Sequence, residues 1–145
     1  MMKRHPVSLL LSIAIILPSC SKVQDTMQGI NPRHVATQFL EAWKKKDWRA
    51  LYKLAHPDFI RKIRLQKLSP EQRKMSDEEL FIREFEQAQR MYPGKILRNY
   101  EIKSISEYRR GETTVWVRAL VNGKHKKIPL TLDGLSLKID LSQIE

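Results

Sequence analysis

Two dipeptides, Asn122-Gly123 and Asp133-Gly134, constrain the fold of this chain more than any other feature in it. Apolar residues recur at every second position around them: Val115, Val117, Ala119 and Val121 before the first, Leu135, Leu137, Ile139 and Leu141 after the second. Asn-Gly and Asp-Gly tolerate positive φ, which the tight turns matching the twist of paired strands require, so each dipeptide predicts a two-residue hairpin. Upstream, NYEIKSISEY at 99–108 predicts another strand, turned by Arg110-Gly111. Pro129 cannot donate to a ladder and therefore predicts an edge or a bulge. Together these signals describe a four-stranded antiparallel meander.

Before residue 95 the apolar period is that of helices. Asn31-Pro32 supplies an N-cap and a first-turn proline, and Val35, Phe39, Ala42 and Trp43 follow on one stripe. Lys44, Lys45 and Lys46 close that helix with cations suited to the negative end of its dipole. Asp47 caps a second helix bearing Trp48, Leu51, Leu54 and Ala55, which His56-Pro57 ends because a residue before proline avoids the helical region. Asp58 is expected to cap a third, with Phe59, Ile60, Ile63 and Leu65, followed by a polar loop at Ser69-Pro70. Ser76 and Glu79 form a capping box ahead of Leu80, Phe81, Phe85, Ala88 and Met91, and Pro93-Gly94 stops that helix. Helices first and a meander after them make an α+β domain over 32–145, its helices packed on a curved sheet. No internal repeat or second domain interrupts it.

The 145 residues carry a net charge of +11, with 41% apolar and 30% charged side chains. Apolar content of that order builds a core, and a single cysteine, Cys20, excludes an internal disulfide and every multi-cysteine metal pattern. The charge suits nucleic acid, an anionic membrane or an acidic polymer. The amino terminus narrows the choice. Lys3 and Arg4 precede an apolar stretch from Val7 to Leu17, the pattern of a secretory leader and about half of the roughly 20 residues a membrane span needs. Loss of residues 1–19 removes Lys3 and Arg4 and leaves +9.

Leu17-Pro18-Ser19-Cys20 resembles the bacterial lipobox, with proline an unusual occupant of its position. The resemblance implies diacylglycerol on the Cys20 thiol, cleavage between Ser19 and Cys20, and acylation of the new amino group. Two or three chains give stable anchoring where one gives marginal binding. Residues 1–19 are thus read as a lipoprotein signal peptide and 20–31 as a lipidated tether. Ser21, where Asp would signal inner-membrane retention, points to the periplasmic face of the outer membrane if the cell is Gram-negative. Nucleic acid is not an expected partner of such a protein.

VATQFLEAWKKKDWRALYKLAHPDF and the terminal LTLDGLSLKIDL resemble the nuclear-transport-factor-two-like superfamily, in particular its small bacterial lipoproteins. Leu137 departs from the tryptophan of that family's closing strand. The resemblance implies a cystatin-like cone. Most of its motifs are structural, so the expected role is non-enzymatic, binding a ligand or a partner at the envelope. Phe39, Trp43, Phe85 and Trp116 are the candidate pocket lining, set against the plainer reading that apolar residues at helical spacing simply pack.

Some members of the superfamily are isomerases or dehydratases with an acid–base group in the cone. The corresponding candidates are His34, His56, Asp58, Tyr92, Tyr100 and Tyr108, although no spacing among them specifies catalytic geometry. The four histidines show no two-ligand spacing and the five glycines form no phosphate loop, so neither a metal nor another cofactor is expected. Basic clusters at 44–46, 61–64, 73–74 and 124–127 would suit anionic lipid head groups or plain solvation.

Overall fold

The computed structural model describes residues 29–145. The expected signal peptide, the Ser19–Cys20 processing site and most of the tether lie outside them. The described chain forms five helices packed against a four-stranded antiparallel sheet, an α+β architecture. The helices are α1 (Pro32–Lys44), α2 (Trp48–Leu54), α3 (Pro57–Arg64), α4 (Pro70–Lys74) and α5 (Asp77–Met91). The strands are β1 (Tyr100–Ile105), β2 (Thr114–Val121), β3 (Lys124–Asp133) and β4 (Ser136–Ile139), paired in chain order and followed by a 3-10 turn at Leu141–Gln143.

Local chemistry sets the helix boundaries. Asn31 accepts the Arg33 and His34 amides at 3.1 and 3.3 Å, opening α1. Its buried face, Val35, Ala36, Phe39, Leu40 and Ala42, touches all four strands. Lys46 N–H reaches the Trp43 carbonyl at 3.0 Å and Asp47 N–H the Ala42 carbonyl at 2.9 Å, the two bonds of a Schellman stop. That stop needs a left-handed residue, normally glycine. Here it is Lys46, at φ 56°, a cost on the order of 1 kcal/mol relative to glycine. Asp47 then caps α2 through the Ala50 amide.

Several boundaries differ from expectation. His56, not Asp58, caps α3, because Pro57 occupies the first helical position and the cap must precede it. Leu65 is the exposed cap at the far end of α3 rather than part of its apolar face. The expected loop at Ser69-Pro70 is α4, nucleated by a capping box between Ser69 and Gln72. Met91, the last residue of α5, is exposed although Leu80 and Phe81 of the same helix are fully buried.

In the sheet, Val115, Val117, Ala119 and Val121 face the helices, while Thr114, Trp116, Arg118 and Leu120 share the opposite face. Asn122 and Gly123 take φ 51° and 78°, as a type I′ turn requires. The second hairpin is shifted by one residue. Asp133 pairs with Ser136, so Gly134 and Leu135 form the loop, with only Gly134 at positive φ. That register leaves Leu135 80% exposed and buries Leu137 and Ile139. Pro129 lies inside β3, which is an interior strand, at the point where β4 ends. Its carbonyl accepts the Asp140 amide at 3.0 Å and its missing N–H returns nothing. At its last residue the outer edge of β4 is met by a parallel bridge from Ala55 to Ile139 and by the His56 amide on the Ile139 carbonyl at 2.7 Å. At the opposite edge β1 carries a bulge between Ile102 and Ser104.

Candidate functional site

The end of α1, the start of α2, the C-terminal half of α5 and the chain between α5 and β1 come together at one place. They frame a cleft of about 170 Å³. Trp43 of α1, Trp48 of α2 and Phe85 of α5 form its aromatic floor, with the Trp48 and Phe85 rings stacked at 5.3 Å. Phe85 in turn rests on buried Phe81, centroid to centroid 4.6 Å. Ala88, Tyr92, Ile96 and Leu97 supply the far wall. Lys46, Gln89 and Lys95 bring ammonium and amide groups to the lining, and no carboxylate is among the lining residues.

One side chain holds the wall in place. Asn122 accepts the Arg98 and Asn99 amides on Oδ1, at 2.7 and 3.3 Å, and donates Nδ2–H to the Ile96 carbonyl at 2.7 Å. The residue that makes the first hairpin therefore also secures the segment closing the cleft.

Of the four residues expected to line a pocket, Trp43 and Phe85 meet in this cleft. Phe39 lies buried in the core beneath Trp43, ring centroids 5.9 Å apart. Trp116 is displaced by strand parity to the sheet face turned away from the helices, beside Pro129. Trp48, Ile96 and Leu97 were not anticipated. Cys20 and Ser19 lie outside the described residues.

The acid–base candidates are dispersed. His34 sits in the first turn of α1. His56 borders a second cleft with Tyr52, Asp77 and Lys138. Its Nδ1 accepts the Asp58 amide at 3.2 Å, so in the neutral ring the proton is on Nε2. Acting as a base at Nδ1 would open the α3 cap. Asp58 pairs with Arg61 at 2.5 Å. Tyr100 donates to Glu41 of α1 at 2.5 Å, and burial first, then that carboxylate, pushes its phenol up to about 12. The same bond holds the Glu41 carboxyl below its ordinary value. Burial also raises the Tyr108 phenol, which lies in the β1–β2 loop, while the Tyr92 ring edges the aromatic cleft. No polar or charged residue is fully buried among the described residues, and no three His, Cys, Asp or Glu side chains gather there as a metal site.

The basic clusters occupy the end of α1, the last turn of α3, the end of α4 and the β2–β3 hairpin. Arg64 is internally committed, binding Asp77 at 2.9 Å and the Met75 carbonyl at 2.6 Å. No described helix is long and apolar enough to cross a membrane.

Fold and cleft together define an α+β domain with an aromatic, cation-rimmed recess at one end of its helical layer. Comparison of the chain with protein-family models, curated proteins and solved structures finds no match.

Proposed function

We propose that this protein is an exported, lipid-anchored envelope protein whose domain is a non-enzymatic module binding an apolar ligand in the Trp43–Trp48–Phe85 cleft. The observation that carries the binding role is the cleft itself. It is concave, walled by aromatic and aliphatic side chains, and has a few polar groups at its rim, the usual make-up of a small-molecule site. Anchoring rests on the leader and its lipobox resemblance, with acyl chains on Cys20 as the membrane contact and the basic clusters as aids to orientation on anionic head groups. The outer membrane is the proposed address in a Gram-negative cell. The nuclear-transport-factor-two-like cone is the proposed family, on the helix order and the meander. The acid–base alternative, an isomerase or dehydratase, draws less support, since Nδ1 of His56 is spent on a helix cap.

Mass spectrometry of the native protein, with its extract, tests both halves. The expected amino-terminal peptide begins at an acylated Cys20, and the extract holds a small apolar molecule in stoichiometric amount. An unmodified Cys20 or a retained leader would refute the anchor; an empty extract would count against a resident ligand. Cys20→Ala is expected to release the protein from membranes or stall its processing, read by fractionation and immunoblot.

A further inference from the structure

Resting on that binding role, a second question is what holds the polar end of a ligand in the cleft. Lys46 and Lys95 are its charged lining residues, they come from different segments, the end of α1 and the chain between α5 and β1, and no carboxylate lines the cleft. Neither lysine takes part in an ion pair among the described residues. Lys95 Nζ lies 5.0 Å from the centroid of the Tyr92 ring, which keeps the ammonium beside the aromatic wall. Lys46 occupies a left-handed backbone position that glycine would fill with less strain, and it brings a charge to the rim in return. Backbone strain of this kind gathers at binding sites. The volume of about 170 Å³ sets the size of guest, since an apolar cavity of about 150 Å³ holds benzene. A single ring or a short acyl segment would fill it.

We infer that the cleft selects small amphipathic anions. The apolar body would lie against Trp43, Trp48 and Phe85, with the anionic group at the rim held by Lys46 and Lys95 and the Gln89 amide as a further donor. Two partly exposed charges reading one anion give modest selectivity, about five- to tenfold over an uncharged analogue, and one that salt weakens.

The test uses the purified full-length protein in neutral detergent, with 4-phenylbutyrate and 4-phenylbutanol as probes and tryptophan fluorescence as the readout. Trp43 and Trp48 line the cleft, whereas Trp116 lies across the sheet. In low salt, 4-phenylbutyrate is expected to bind about five- to tenfold more tightly than the alcohol, and about 0.5 M salt should erase most of the difference. In the double variant Lys46→Gly, Lys95→Gln the two probes should bind alike. Glycine suits the backbone at 46, so that variant is expected to melt no lower than the parent. Equal binding of both probes by the parent overturns anion selection and leaves the apolar cleft standing. Failure of both probes to bind overturns the cleft reading and the selection with it. A carboxylate preference that survives in the double variant overturns the assignment to these lysines.

Discussion

Tyr100 and Glu41 lie 59 positions apart, yet their hydrogen bond ties α1 to the first strand. The phenol is raised to about 12 from an ordinary value of 10, so between those limits the unfolded chain gives up a proton that the folded one keeps, and stability falls as pH rises. Glu41 acts at the other end of the scale. Its carboxyl is held below the ordinary 4.5, so its contribution is present above that value and is lost as pH falls beneath it. Tyr100→Phe should flatten both limbs of a stability–pH profile measured by urea denaturation. The alkaline limb should persist in part, because Tyr52 and Tyr108 are raised as well. An unchanged profile would show that the pair contributes nothing. Sequence neighbours made Asn31, Asp47 and Ser76 legible as caps. Nothing local announces a bond spanning 59 positions, whereas the His56 cap follows from its neighbour Pro57, which takes the first helical position as Pro32 does in α1.

The β2–β3 hairpin shows how one element can serve two structures. The Asn122 backbone makes the turn, and its side chain makes three bonds to residues 96–99. Asn122→Gly keeps a residue tolerant of positive φ and removes those bonds. At these exposed sites the expected loss is about 1–2 kcal/mol, with faster amide exchange at Arg98 and Asn99. If stability and exchange stay at parental levels, Asn122 is a turn residue and no more. The turn was readable from Asn-Gly itself. Its role as a clamp was not, since the partners are more than twenty residues away. Asp133-Gly134 predicted a hairpin correctly and its loop residues one position too early, because β3 pairs through Asp133. The capping box of α4 was present as Ser69, Pro70 and Gln72, a signal hidden because Glu71 to Lys74 within the helix are all polar and none of its residues is buried.

Across the whole molecule, α2, α3 and α5 meet at one aromatic cluster. Phe81 touches the rings of Tyr52, Phe59 and Phe85 at 5.3, 5.8 and 4.6 Å and is fully buried. Phe81→Ala should cost about 3–5 kcal/mol, read as a lower denaturation midpoint. It should also weaken probe binding in the cleft, although Phe81 does not line it, because Phe85 loses its support. The α+β layout was legible because periodicity reports which face of each element is apolar. Periodicity does not report where a cleft opens between elements, so of the four expected lining residues Trp43 and Phe85 reach it, while Phe39 stays in the core and Trp116 lies on the other face of the sheet.

The margins of the sheet carry a further consequence. A lipid anchor of the kind proposed would crowd many copies onto one surface, where strands with free backbone groups zip together into filaments. Here Ala55 and His56 engage the free side of β4 at Ile139, and the bulge in β1 lies beside charged Glu101 and Lys103. Neither margin is a flat template for another strand. Neighbouring copies could then remain separate at densities where an unguarded sheet would polymerise.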